Sequence, residues 1–135
     1  MAIQFSVDVR NAQLDAFETT TGATAILEIR TGTVPATCAT TDSGTLLASM
    51  TLPSDWLAAA GSGAKVKAGT WEDTSANATG TAAHFRIKNN AGSTCHMQGT
   101  ITVTAGGGDM ELDDITIEAA QSVTVTAFSL SAGNA

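Results

Sequence analysis

Apolar and polar residues alternate through short segments between Gly80 and Leu130, and turn residues separate those segments. Phe85 and Ile87 alternate with the polar series His84, Arg86 and Lys88. Because successive strand residues point to opposite faces, this period of two predicts a sheet with one face on a core and one in water. The Asn-Asn-Ala-Gly sequence at 89–92 predicts a hairpin turn, since Asn and Gly tolerate positive φ.

The predicted core of this region combines the apolar positions of each alternating segment. Asp113-Asp114 changes the phase of the alternation, and a second change near Ala127 follows, so two bulges are expected. The side chains predicted to be buried are Phe85, Ile87, Met97, Ile101, Val103, Leu112, Ile117, Val123 and Val125.

The first part of the chain predicts one helix and further strands. Ile3, Phe5 and Val7 alternate as in a short strand, and Asp8 is placed to cap a helix over about residues 9–20 that ends at Gly22. The later segments are predicted as strands at 23–30, 46–52 and 65–71 with Val66 inward, a loop at 31–43, one helical turn at 53–57 and a loop at 72–79.

About eight short strands and one early helix predict an all-β fold, an antiparallel β-sandwich of the jelly-roll type. At 135 residues the chain is expected to be one domain, with an N-terminal arm and helix at 1–22 and the sandwich at 23–135. The absence of a basic and apolar leader predicts synthesis in the cytoplasm without export by a signal peptide.

Charge narrows the range of partners. The net charge is −7, and the six Lys and Arg residues are scattered. Nucleic acid binding requires clustered cations that replace phosphate counterions, so we expect no nucleic acid partner. An acidic membrane surface would repel the chain for the same reason.

No constellation of residues predicts a reaction, a metal or a cofactor. His84 and His96 are expected to be outward surface residues that lack a third metal ligand. The carboxylates of Asp109, Glu111 and Asp113 are expected to be solvated, and Gly106-Gly107-Gly108 to be a hairpin connection. Cys38 and Cys95 are expected to be reduced, half-buried thiols, with a disulfide as the open alternative.

Several stretches resemble small structural proteins of tailed bacteriophages. The resemblance covers roughly residues 23–130, and its motifs are turn-and-strand patterns: SGTLLASMTLP at 43–53, SANATGTA at 75–82, FRI at 85–87, GGDMEL at 107–112 and AQSVTVTAF at 120–128. It implies a virion protein, a non-enzymatic capsid decoration (cement) protein that bridges major capsid subunits on the outside of the head. Its partners would be the major capsid protein and copies of itself, as a dimer or trimer.

Four residues are candidates for partner contacts in such a protein: Ile3, Phe5, Trp56 and Trp71. Ile3 and Phe5 lie in an arm that is free to reach a neighbour, and tryptophan is a common interface anchor. The competing interpretation is that Trp56 and Trp71 close the ends of the sandwich. The alternative function is a tail or fibre component that binds a host receptor or glycan, which would require an exposed aromatic platform.

Overall fold

A computed structural model describes residues 2–133, and it is mostly β with one short helix. The elements are α1 Val7–Thr21, β1 Ile26–Arg30, β2 Leu46–Thr51, β3 Ala64–Val66, β4 Trp71–Asp73, β5 Gly80–Thr81, β6 His84–Lys88, β7 Cys95–Val103, β8 Met110–Leu112, β9 Thr116–Ile117, β10 Val123–Val125 and β11 Ser129–Ser131.

Five strands form the main sheet, in the order β2-β1-β6-β7-β8. The β6–β7 hairpin is confirmed, and the 89–92 turn has Gly92 at φ 68°. The pairing of β7 with β8 is parallel, so the expected hairpin at the glycine run is wrong. Residues 104–109 instead fold back over β7, where Gly106 and Gly108 pack so closely on Thr102 that neither position has space for a Cβ.

The remaining strands form three two-stranded antiparallel pairs, β10-β4, β11-β3 and β5-β9. The predicted loop at 72–79 therefore begins as a strand, and the helical turn expected at 53–57 is absent. Leu57 forms a β-bridge with Lys67 instead, which commits its backbone to strand-like pairing. The phase changes after Leu112 and near Ala127 follow the ends of β8 and β10, where the chain passes from one sheet to another, so they mark strand ends and not the expected bulges.

Helix α1 begins two residues earlier than the sequence indicated. Ser6, not Asp8, is the N-cap, and its hydroxyl accepts a 3.3 Å hydrogen bond from Val9 N. Asp8 lies in the first turn, where its charge favours the helix dipole. The helix ends at Gly22 as expected, at φ 90°. Residues 2–6 form no strand, so that prediction is wrong.

One hydrophobic cluster fills the interior and lies against one face of the main sheet. Leu27 and Ile29 of β1 are fully buried, as their alternation predicted. Of the nine residues expected in the core, Met97 is half-buried against the cluster and Val103, the last residue of β7, is 44% exposed. The other seven are buried: Phe85, Ile87, Ile101, Leu112, Ile117, Val123 and Val125.

The β3 strand has the opposite orientation to the expected one. Val66 is 51% exposed, whereas Lys65 is buried. Lys65 Nζ lies 2.6 Å from Asp15 Oδ1 and 2.9 Å from Glu18 Oε2, both on α1. The long aliphatic stem of Lys65 covers apolar surface while its ammonium group meets two carboxylates of α1. Contact with the helix therefore explains why Lys65, and not Val66, faces inward.

Candidate functional site

The two tryptophans lie in the core and not on a contact surface. Trp56 and Trp71 are both 0% exposed, so neither offers a surface to a partner. Their indole N–H groups donate to Gly22 O at 3.0 Å and Ala68 O at 3.1 Å. The expectation that they anchor a partner is therefore contradicted by their burial. They instead join Phe17, Phe128 and Phe85 in a continuous series of ring contacts through the interior.

The other two candidates lie on an exposed apolar surface at the beginning of the chain. Ile3 is 79% exposed and Phe5 is 46% exposed. Val7 and Val9, in the first turn of α1, are also exposed. These four residues, which we call the N-terminal apolar surface, make up most of the exposed large apolar side chains among residues 2–133.

Helix α1, which carries Val7 and Val9 of this surface, is fixed to the β structure further along its length. Arg10 Nη1 donates to Ala132 O at 3.3 Å, and Asn11 Oδ1 accepts from Gly63 N at 2.9 Å. About two turns later, Glu18 Oε1 accepts from Leu57 N at 3.2 Å. The polar residues of α1 therefore hold the helix in place, and its apolar first turn points away from the molecule's own core.

A second feature was missed by the sequence reading: the outer face of the main sheet is a buried charged layer. His84, Arg86 and Lys88 were expected in water, but they are 0%, 1% and 5% exposed. Glu28 and Arg30 of β1 lie on the same face, paired in register with Arg86 and His84. We call these five residues the charged layer.

Carboxylates from two elements neutralise much of the charged layer. Glu28 Oε2 lies 2.8 Å from Arg30 Nε and 3.0 Å from Lys88 Nζ. Asp42 reaches all three cations, at 2.6 Å from Arg86 Nη1, 2.6 Å from Lys88 Nζ and 3.2 Å from Arg30 Nη2. Burial raises the pKa of Asp42, but the hydrogen bond from Lys88 and the charges of all three cations outweigh it and hold that pKa below its usual value.

Residues 31–45 form the cover of the charged layer, and we call them the cover loop. Its ends are joined, because Thr31 N donates to Thr45 O at 3.1 Å. Its backbone carbonyls face the layer: Arg86 donates to Cys38 O at 2.7 Å and to Thr40 O at 2.9 Å. A 15-residue loop with closed ends and inward carbonyls has the character of an Ω-loop.

The sheet contributes two more contacts to the cover loop. His84 Nδ1 is 2.9 Å from Gly32 O, and Gln98 Nε2 donates to Pro35 O at 2.6 Å. Other polar atoms of the same face lack a hydrogen-bond partner within the described part of the chain. Among residues 2–133, His84 Nε2, Arg86 Nε and Gln98 Oε1 are buried without a hydrogen-bond partner. Burying such groups is unfavourable, so this face depends on the cover loop more than an apolar face would.

The acidic residues near the glycine run have a structural role. Asp109 Oδ2 accepts from Thr100 N at 2.8 Å and Thr100 Oγ1 at 2.9 Å. The Glu111 carboxylate accepts from Ala105 N at 3.0 Å and Gly107 N at 3.1 Å. These bonds hold the fold-back of residues 104–109, beside an open cleft of 610 Å³ whose lining includes both carboxylates.

Residues 2–133 hold no group of three or more His, Cys, Asp or Glu side chains placed to bind a metal ion. Within the same residues, no helix has the length and apolar character needed to cross a bilayer. Phe5 is the exposed aromatic side chain in this part of the chain, so an aromatic platform for sugar rings is not present there.

The N-terminal apolar surface is thus the feature best suited to contact a partner, and the charged layer is internal. Comparison with known proteins adds no assignment, since no family model, curated protein or solved structure matches this chain.

Proposed function

We propose that this chain is a non-enzymatic capsid decoration (cement) protein of a tailed phage, which binds the outside of the head and bridges major capsid subunits. The observation that carries the proposal is the N-terminal apolar surface: Ile3 is 79% exposed, and the helix that follows it is fixed to the rest of the protein. The turn-and-strand resemblance to phage structural proteins supplies the kind of partner.

The chemistry of the surface suits a docking contact. Fully burying a side chain such as Val, Ile or Phe stabilises an association by about 1.5–3 kcal/mol. Ile3 and Phe5 would contribute most, because Ile3 is the most exposed of the four side chains and Phe5 is the largest. A small apolar contact of this kind is weak alone, as protein interfaces also require polar rims and good fit.

Many weak contacts can still stabilise a shell. A protein that binds the assembled shell and not its free subunits adds RT ln(1 + [L]/Kd) per site to the stability of the assembly. Summed over the many equivalent sites of a capsid, this term becomes large. The bridging role therefore requires repeated binding, through the arm to a capsid subunit and through contacts between copies as a dimer or trimer.

The proposal includes a finer description of the fold. We take the three two-stranded pairs as the second layer of a jelly-roll sandwich whose first layer is the main sheet. The ring of Phe128, which follows β10, lies 5.5 Å from Trp71 and 5.8 Å from Phe85 of β6, so side chains from both sets of strands share one core.

The test uses phage particles prepared with and without the protein. Complete particles should retain their DNA to a higher temperature than particles that lack it, and purified protein should restore the difference. If both particles release DNA at the same temperature and the protein does not bind expanded shells, the cement role is wrong. Labelled protein found at one vertex, and not over the shell, would favour the tail or fibre alternative.

A matched pair of variants tests the surface itself. We expect Ile3→Ser with Phe5→Ser to weaken binding to shells by tenfold or more, since each 1.4 kcal/mol is about a factor of ten. Val103→Ser is the control, because Val103 is also an exposed apolar residue, at 44%, but belongs to β7 and not to the N-terminal apolar surface. Equal binding by both variants would exclude the N-terminal apolar surface as the contact.

A further inference from the structure

The two cysteines come from distant parts of the sequence and meet at the edge of the charged layer. Cys38 lies in the cover loop and Cys95 at the start of β7; both are half-buried free thiols. The two thiols are near enough for Cys95 to affect the ionisation of Cys38. Arg86 lies beside both residues, since it donates to Cys38 O at 2.7 Å and its side chain also interacts with Cys95.

A bulge brings Cys95 to this face. Strict alternation along β7 would put Cys95 on the same side as Met97, facing the apolar core. The register shifts between Ile87 and Lys88, so Met97 pairs with Ile87 but Cys95 pairs with Lys88. The extra residue, His96, absorbs the shift, and the Cys95 side chain joins Lys88 and Arg86 on the side of the cover loop.

We propose that Cys38 and Cys95 are a site of oxidative cross-linking, at which a disulfide fastens the cover loop to β7. The cover loop is otherwise held over the layer by polar contacts, including those that Asp42 makes with Arg86 and Lys88. A covalent link at Cys38, near the middle of the loop, keeps the loop closed even where those contacts weaken. The reduced protein has a cover that can open, and the oxidised protein has one that cannot.

The reaction is a thiol–disulfide exchange with a small disulfide such as oxidised glutathione. One cysteine thiolate attacks the glutathione disulfide, which breaks its S–S bond, forms a mixed disulfide and releases one glutathione thiolate. The second cysteine thiolate then attacks the protein sulfur of the mixed disulfide and releases the second glutathione. Two electrons pass from the cysteine pair to glutathione, and the two thiol protons go to solvent or to the released thiolates.

The rate of this exchange should be low at neutral pH. Burial, together with the hydrogen bond to Cys95 and its charge, raises the pKa of the Cys38 thiol to about 11, against the opposing effect of Arg86. Only a small fraction of Cys38 is then the reactive thiolate. Such a pair would stay reduced in a glutathione-rich cytoplasm and become oxidised slowly after transfer to oxidising surroundings.

The experiment oxidises the full chain with oxidised glutathione in two ways: in the folded state at mildly alkaline pH, and during refolding from urea, where access does not limit the reaction. We expect a monomer that is lighter by two hydrogen atoms and resists alkylation. Its Tm should exceed that of the reduced protein by about 5–15 °C, because the bond closes a long loop of the unfolded chain. Protease should also cut the cover loop more slowly in the oxidised form.

Two variants distinguish the Cys38–Cys95 disulfide from non-specific oxidation. Cys38→Ser keeps the backbone carbonyl that Arg86 uses, and Cys95→Ser removes the other sulfur. Each should retain a glutathione adduct or a free thiol and should show no gain in Tm. The proposal is overturned if the refolded wild type carries glutathione on either cysteine, forms covalent dimers, or closes the disulfide without a gain in Tm.

Discussion

The two faces of the main sheet present a direct comparison, because the same strands supply both. On one face, Leu27, Ile29 and Phe85 pack into the hydrophobic cluster. On the other, Glu28, Arg30 and Arg86 are also largely shielded from water, but by the cover loop and by each other. Two faces of similar burial are therefore stabilised by different forces.

The difference lies in how each face tolerates a missing partner. An apolar face loses contact area gradually as side chains are truncated. A buried ion cluster gains little over a well-packed apolar face, but it becomes strongly unfavourable once a charge is left without its counter-ion. We therefore expect the cover loop to open nearly all-or-none, and the apolar face to supply most of the net stability.

The largest effect is expected on the apolar face, from Phe85→Ala. Phe85 is 1% exposed and its ring lies 5.8 Å from that of Phe128, so truncation removes transfer free energy and leaves a cavity. We expect a loss of about 3–5 kcal/mol in the free energy of unfolding, measured by urea denaturation. Val103→Ala on β7, at an exposed position, should change it by less than about 0.5 kcal/mol. A small loss in Phe85→Ala would place Phe85 outside the core.

A smaller effect with a different signature is expected on the charged face, from Asp42→Asn. The amide keeps the shape of the side chain but removes the anion shared by Arg30, Arg86 and Lys88. Because the Asp42 side chain is 30% exposed, we expect a loss of about 1–3 kcal/mol, below that of a fully buried pair.

The effect of Asp42→Asn should be confined to the cover loop. Amide hydrogen exchange should accelerate in residues 31–45 before it does in β1 and β6, since the loop opens without the sheet. The matched control is Asp55→Asn, at an exposed aspartate outside the loop, which should change neither quantity. Uniform acceleration of exchange over the whole chain would contradict a separately opening cover.

Alternation along the chain predicted which residues share a face, but not what covers that face. The phases of Leu27 with Ile29 and of Val123 with Val125 are confirmed, as is the end of α1 at Gly22. The period of two could not show that water is excluded from the polar side, because the cover is a polar loop that contributes mainly backbone carbonyls. Such a loop has no apolar periodicity for a sequence reading to detect.

The candidate site was predictable in part. Ile3 and Phe5 are exposed in an apolar arm, although residues 2–6 do not form the strand expected there. For Trp56 and Trp71 the sequence allowed either a partner contact or a place at the ends of the sandwich, and their size and their N–H donors to Gly22 and Ala68 favour the interior. Lys65 was expected outside because a sequence alone does not show that Asp15 and Glu18 of the helix lie opposite it.

Acid provides the mildest test of the difference between the two faces, since it titrates only the charged one. The folded-state pKa of Asp42 is held below its usual value, so its contribution to stability is complete above about pH 4, the pKa of an unfolded aspartate, and is lost as pH falls through the folded pKa. Asp109 also loses a stabilising contribution in acid, because hydrogen bonds from Thr100 lower its pKa, so Asp42→Asn should keep part of the acid sensitivity.

We expect the urea midpoint to fall between pH 5 and about pH 3 in the wild type, and to fall less in Asp42→Asn. Phe85→Ala, in contrast, should be lowered by the same amount at every pH in this range, because no titrating group of the charged layer loses a partner. Equal pH slopes in the wild type and Asp42→Asn would mean that the ions of the charged layer do not hold the cover loop closed.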